Sequence, residues 1–211
     1  MTEPIAPAAE TRRSRAKSDR RMQLIAAAER LMAERGYLAV RIEDIGAAAG
    51  VSGPAIYRHF PNKEALLVEI LVGISTRLLQ GAEAVVSDAR DARAVLDGLI
   101  DFHLDFALGE SDLIRIQDRD LDYLPTAARR QVRKAQRQYV EIWVDALRRL
   151  DSRLADADAR LMAHATFGLL NSTPYSVGRT TPPSSSRSVL RAMTMAALTS
   201  RGGHAARPAK H

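Results

Sequence analysis

Tyr57, Arg58 and His59 place three hydrogen-bond donors in a row, and Lys63 follows four residues beyond His59. A phenol and an imidazole donate to phosphate oxygens, and an ammonium adds a point charge. A guanidinium is the side chain best shaped to grip guanine bidentately. Ahead of them Ser52, Gly53, Pro54 and Ala55 are small, which permits close backbone approach. Pro54 and Ala55 offer no side-chain hydrogen bond, only apolar contact with a thymine methyl. Arg41, at the other end of the same stretch, can also reach a phosphate. Side chains of these types can meet phosphate oxygens and base edges, and Tyr57 and His59 can equally fill an aromatic core.

The elements that must position them follow from spacing. Ile42, Ile45 and Ala49 recur at helical intervals, with Glu43 and Asp44 turned to water. Gly50 suits a left-handed helix stop, after which Val51 can enter the core. Ser52 is a good N-cap and Pro54 falls in the first turn of a second helix, which Pro61 ends. Ile56 and Phe60 lie on the face opposite the donors and read as structural. Two short helices joined by a glycine turn fit a DNA-reading helix-turn-helix. An ordinary helical hairpin fits the same local spacing.

Composition narrows the class. Hydrophobic residues make up 46% of the 211, aromatic residues only 5%, and no alternating strand pattern appears, so the chain is expected to be all-α. There are no cysteines, which removes disulfides, thiolate metal sites and cysteine nucleophiles. No run of eighteen apolar residues and no signal-peptide pattern is present, so a cytoplasmic protein without a membrane partner is expected. The net charge of +6 favours a polyanionic partner, and six basic residues crowd Arg12 to Arg21 against the single acid Asp19.

In chain order, residues 1–17 lack periodicity and are expected to be a disordered basic arm that can enter a minor groove. Helix one should begin near Ser18 or Asp19, carry Leu24, Ile25, Ala28, Leu31 and Met32 on one face, and close at Gly36, with Tyr37 and Leu38 turning into the core. A DNA-binding domain over 18–64 is then followed by a long helix capped by Asn62, and a helical domain over 65–200. Its helices are marked by Val95 to Phe106, Leu113 to Ile116, Val132 to Leu150, Leu154 to Leu170 and Val189 to Ala197. Asn171 to Arg187 reads as a Ser/Thr/Pro loop, and residues 201–211 as a disordered tail.

The run from Arg20 to Leu78 resembles the N-terminal domain of the TetR family of bacterial transcriptional regulators. The likeness rests on a leading helix ending in ERGY, then IEDIGAAAGVSGPAIYRHFPNKEALL. It implies an all-helical homodimer, a palindromic DNA operator, and a C-terminal domain that binds a small-molecule effector and relieves repression. No cofactor and no enzymatic activity are implied. Carried over by position, it makes Arg41, Ser52, Gly53, Pro54, Ala55, Tyr57, Arg58, His59 and Lys63 the DNA-facing set. One departure stands out: the family opens its first reading helix with Ser or Thr, where this chain has Arg41, which cannot cap as a hydroxyl does.

The C-terminal stretch DFHLDFALGESDLIRIQDRDLDYLP is similar to regulators of acyl-CoA and branched-chain amino-acid catabolism, which implies an acyl-CoA or related intermediate as effector, with a drug-like apolar molecule as rival. Candidates for its pocket are Phe102, His103, Phe106, Tyr139, Trp143, His164, Phe167 and Asn171, apolar bodies with a few polar groups among them. Each is equally a core residue by type. The basic face Arg129 to Arg137 suits a phosphate or plain solvent. Dimerisation is expected over Leu161 to Leu170 and Val189 to Leu198, with Ala163, Gly168, Ala192 and Ala196 allowing close approach. A helical ligand-binding or scaffold protein that no longer reads DNA is the competing class. The S-x-x-K run Ser14 to Lys17, the GxxG run Gly50 to Gly53 and the sequon at Asn171 lack the partners their chemistry needs. His103 and His164 lack metal-ligand spacing.

Overall fold

The computed structural model describes residues 12–176 and 183–200, which are helical with no strand among them. Helix α1 is Arg12–Arg35, α2 Ile42–Ala48, α3 Gly53–Ile56 and α4 Lys63–Asp88. After α5 (Ala92–Gly109) and α6 (Ser111–Asp120) comes a 3₁₀ turn, Leu121–Tyr123. The chain continues as α7 (Thr126–Leu150), α8 (Asp156–Leu170), α9 (Thr173–Ser176) and α10 (Pro183–Thr199).

Helix α1 starts earlier than its caps suggested. Arg, Lys and Ala are strong helix formers, so residues 12–17 extend the helix rather than form an arm, and Ser18 and Asp19 lie within it. The remainder of the expected arm and the expected tail lie outside the described residues. Gly36 and Gly50 both adopt positive φ, at 86° and 65°, and stop α1 and α2 as their positions required. At Gly46 a Cβ would stand 3.1 Å from the Val51 carbonyl oxygen, so glycine lets the turn close on α2. Asn62 caps α4, its Oδ1 accepting from the Ala65 N–H at 2.8 Å. Leu38, expected inside, is 69% exposed; Val40 is the residue that turns into the core.

The chain forms two compact units. The first runs to Ile74 and takes back Arg115–Val132. Its core contains Leu24, Met32, Ile45, Ile56, Phe60, Leu66 and Leu67, each at most 1% exposed and each worth about 1.5–3 kcal/mol of burial. Helix α4 is long and apolar enough to cross a membrane by length and composition, and its Leu66, Leu67, Ile70, Leu71 and Ile74 are buried. The returning segment is joined through charge. Asp120 is buried, and its carboxylate accepts from Arg119 Nε at 3.1 Å and from the Tyr37 backbone N–H at 3.2 Å. The Arg119 guanidinium also donates to the carbonyls of Met32 and Ala33 at the C-terminus of α1, where a cation complements the helix dipole. The Tyr37 ring stacks on Tyr123 with centroids 5.3 Å apart. Sequence periodicity cannot register such a clamp.

The second unit comprises Ser75–Ile114 and the chain from Arg133 on. Leu96, Leu99, Ile100 and Leu104 of α5 pack with Val140, Trp143, Val144 and Leu147 of α7. Helices α4 and α5 approach closely through glycine: a Cβ on Gly81 would overlap the Phe102 ring, and one on Gly98 would stand 2.7 Å from Val85 Cγ1. Along α5, Asp97, Asp101 and Asp105 recur at four-residue intervals and meet two arginines of α10. Arg191 reaches Asp97 at 2.9 Å and Asp101 at 3.0 Å; Arg187 reaches Asp101 at 3.2 Å and pairs with Asp105. This ladder accounts for α10 starting at Pro183, inside the stretch expected to be loop, since Arg187 must be helical to share a face with Arg191. Helix α9 also falls in that stretch.

Two neighbouring helices leave small and apolar residues outward. On α8 these are Leu161, Ala165 and Gly168; on α10 they are Val189, Ala192, Met193 and Ala196, with Leu161, Val189 and Met193 each at least half exposed. Ala163 departs from expectation, being buried against its own core. Replacing Arg119 by Ala strands the Asp120 carboxylate without a countercharge; because the guanidinium is itself half exposed, unfolding free energy should fall by about 2 kcal/mol. Adding Asp120→Asn should recover part of the loss in denaturant titrations, and an unchanged midpoint for Arg119→Ala would refute the clamp.

Candidate functional site

The first unit presents the donors on α3 and the turn after it. Ser52 occupies the N-cap position of α3 in extended conformation, but its hydroxyl makes no capping bond. Gly53 begins the helix, Pro54 is exposed, and Ala55 is half buried. Tyr57 is 49% exposed and Arg58 is exposed, with no hydrogen-bond or ion-pair partner for the Arg58 side chain among the described residues. Ile56 and Phe60 are buried on the opposite face, at 0% and 1% exposure. Arg41 is exposed at the start of α2. A guanidinium accepts nothing, so Asp44 reaches back instead, its Oδ2 accepting from the Arg41 N–H at 3.1 Å.

Two of the expected contacts are engaged within the protein. Lys63 Nζ donates to the Tyr37 carbonyl at 2.6 Å and the Val40 carbonyl at 2.7 Å, and lies 4.3 Å above the Tyr37 ring. Its ammonium fastens the α1–α2 connection to the start of α4, which leaves one of its three N–H groups for any other partner. The Tyr57 hydroxyl donates to Glu43 Oε1 at 2.9 Å, and this bond holds the phenol pKa above its ordinary value. Glu43 thus places a carboxylate on the reading face.

His59 is half buried with Nδ1 unpaired. Burial lowers its pKa, and the charges of Lys17, Arg21, Arg20 and Arg58 lower it further. Arg21, which residue pattern did not single out, orients this end of the site. It donates to the His59 carbonyl at 2.9 Å, pairs with Glu69 at 2.8 Å and lies 4.2 Å above the Phe60 ring. A basic residue in a basic run carries no sign that it alone turns inward.

In the second unit, six of the eight candidate pocket residues converge. His103 is buried on α5, with Nδ1 2.9 Å from the Tyr139 hydroxyl and Nε2 2.9 Å from Asn171 Oδ1. Phe106, Tyr139, Trp143 and Phe167 surround the imidazole, with ring centroids 5.3–6.1 Å from it. His164 sits at the rim, exposed and edge-on to Phe167. Phe102 faces Gly81 instead. Burial lowers the His103 pKa to about 4 and raises that of Tyr139. Trp143 Nε1 approaches the same tyrosine without forming a hydrogen bond and is left unpaired.

Comparison with known proteins finds two family matches in the chain. Residues 24–70 match the family described as bacterial regulatory proteins, tetR family, and residues 89–175 match a tetracyclin repressor-like C-terminal domain. The chain is 31% identical over 148 residues to the HTH-type transcriptional activator FasR of Mycolicibacterium smegmatis, covering 70% of this chain and 67% of that protein. It is 39% identical over 84 residues to the HTH-type transcriptional repressor KstR2 of Rhodococcus jostii, covering 40% of this chain and 41% of the repressor. Among solved structures, AibR in complex with isovaleryl coenzyme A and operator DNA aligns with a TM-score of 0.71 at 18% identity, over 82% of this chain and 97% of AibR. That last likeness shows the fold alone.

Glu43→Gln keeps an acceptor for Tyr57 while removing a negative charge from the face that meets phosphate. Affinity for a random-sequence duplex, read by fluorescence anisotropy, should rise roughly fivefold at low salt and less at high salt. Unchanged or weaker binding would remove Glu43 from the interface. For His103 the folded-state pKa lies below the unfolded value of about 6.5, so the unfolded chain binds more protons below that pH. The stability contributed is present above about pH 6.5 and is lost as pH falls through 4; by about pH 5 some 2 kcal/mol should be gone. His103→Gln should flatten this loss between about pH 7 and 5, and parallel pH profiles for the two proteins would contradict it.

Proposed function

Because the chain belongs to the tetR family of bacterial regulatory proteins, we propose that it is a cytoplasmic repressor that grips a palindromic operator as a homodimer and releases it when a small molecule enters the second unit. The observation that carries this reading is Arg58: an exposed guanidinium without a protein partner, set at the end of α3 beside Ser52, Pro54 and Tyr57. A scaffold that had lost DNA reading has no need to keep such a group unpaired next to a helix-turn-helix. Arg58 supplies base discrimination, while Ser52, Tyr57, His59 and Arg41 position the backbone. Lys63 acts through the Tyr37 and Val40 carbonyls, as a positioning residue that can spare one N–H for phosphate.

The exposed faces of α8 and α10 support a symmetric interface, since small residues let two copies of each helix approach. The effector is an acyl-CoA or related catabolic intermediate. This is supported by the isovaleryl coenzyme A bound to AibR and by the convergence of His103, Tyr139, Trp143, Phe167 and Asn171. Repression, rather than activation, is supported by the higher identity to KstR2.

Footprinting on the DNA upstream of the chain's own coding region tests the proposal. Protection should cover two inverted half-sites about 34–36 Å apart, or a multiple of that. Arg58→Ala should relax preference at one base pair per half-site by about 1–3 kcal/mol, and the affinity of the wild type should fall steeply with salt. A single unpaired half-site, or an Arg58→Ala variant with intact base preference, would overturn it.

A further inference from the structure

We infer that the seat for the effector in the second unit is built for an uncharged oxygen: an apolar ligand whose carbonyl or hydroxyl accepts the hydrogen bond that Trp143 Nε1 lacks, with a free carboxylate excluded. The inference rests on the ligand-responsive reading above and adds the chemical class of the ligand.

Three observations meet at this point. The first is an unused donor. Trp143 is wholly buried and its indole N–H has no partner, a costly state for a polar group in a core. The second is the direction of the chain beside it. With Asn171 Oδ1 as acceptor, His103 Nε2 carries the proton and Nδ1 accepts from the Tyr139 hydroxyl, so both imidazole nitrogens are already satisfied. What remains are the Trp143 N–H and the lone pairs of the Tyr139 oxygen, one helical turn apart on α7, with ring centroids 6.4 Å apart. A carbonyl accepts from the indole. A hydroxyl does the same and can donate onward to Tyr139.

The third observation is charge. Among the described residues of the second unit, the buried polar side chains are Ser, Thr and His, with no Lys, Arg, Asp or Glu. The imidazole does not supply the missing charge, since burial keeps it neutral down to about pH 4. A carboxylate entering here would shed its water and meet no cation, which proteins avoid by pairing or neutralising buried charge. An ester, thioester, ketone or alcohol carries no such penalty.

Trp143 is the only tryptophan in the chain, so its emission reports directly on the proposed contact. The full-length protein is titrated with a straight-chain series, decane, methyl decanoate and decanoic acid, and a fused-ring series, decalin, 2-decalone and decalin-2-carboxylic acid. In at least one series the neutral oxygen compound should perturb Trp143 emission and raise the melting temperature, and should bind at least about tenfold more tightly than the corresponding acid at about pH 7.5. Trp143→Phe, followed by melting temperature, should abolish most of the advantage of ester or ketone over hydrocarbon, roughly two- to tenfold for one hydrogen bond. Carboxylate binding equal to ester or ketone, or an undiminished advantage in a folded Trp143→Phe protein, would overturn the inference while leaving the seat in place. If no member of either series binds, the seat itself is wrong and the inference falls with it, whereas DNA reading through Arg58 is untouched.

Discussion

Asp120 is the one buried acidic or basic side chain other than histidine among the described residues, and the first unit surrounds it with a cation and a backbone donor. A carboxylate inside a protein needs a cation and hydrogen bonds together. Arg119 supplies the cation and Tyr37 supplies a backbone N–H. Meeting that need fixes more than the acid. The guanidinium closes carbonyls in the last turn of α1, and the Tyr37 ring contacts both Tyr123 and the Lys63 ammonium. The short connection from Gly36 to Val40 is thereby held from both ends, and Arg41 and α2 begin directly after it. The angle at which the reading pair leaves α1 depends on a residue eighty positions further along the chain.

The two units use polar groups in opposite ways. Around α3 the donors Ser52, Tyr57 and Arg58 are exposed and held by few side-chain bonds: the Arg58 side chain has none among the described residues, and the Tyr57 hydroxyl has one, to the Glu43 carboxylate. In the second unit the polar groups are buried and matched, Asn171 to His103 to Tyr139, which orders an otherwise aromatic core. Trp143 Nε1, beside this chain, and Thr194 Oγ1 on α10 are the exceptions, each buried without a hydrogen-bond partner among the described residues.

Much of this was legible in residue order, and the failures share a cause. Gly36, Gly50 and Asn62 occupy the turn and cap positions assigned to them, because such signals depend on one residue's own backbone preference. The core faces of α1, α4, α5 and α7 followed from 3.6-residue periodicity. Residue type does not tell that Lys63 grips two carbonyls, that Arg21 pairs with Glu69 or that Ala163 is buried, because each type suits the surface or an interface, while its surroundings depend on which carbonyl, carboxylate or neighbour the fold brings within reach. Ser18 and Asp19, both acceptable caps by type, lie inside α1 because the basic residues before them continue the helix. Of the pocket candidates, Phe102 differs from His103 by one position on α5, a rotation of about 100° that turns it toward Gly81 instead of the aromatic cluster.

Local rules therefore decided the all-helical class, the helix-turn-helix with its stops and caps, and the set of donors from Ser52 to His59. All of these depend on side-chain volume, periodicity and φ preference within a few residues of one another. Partnership was decided only in three dimensions. That the Arg58 side chain is unengaged while Lys63 is engaged, that Glu43 holds Tyr57, that Asp120 anchors α1, and that the Trp143 indole keeps an unused donor are facts about which groups approach within about 3 Å. Charge and hydrogen-bonding capacity belong to the residue, but whether they are already spent depends on neighbours distant in sequence.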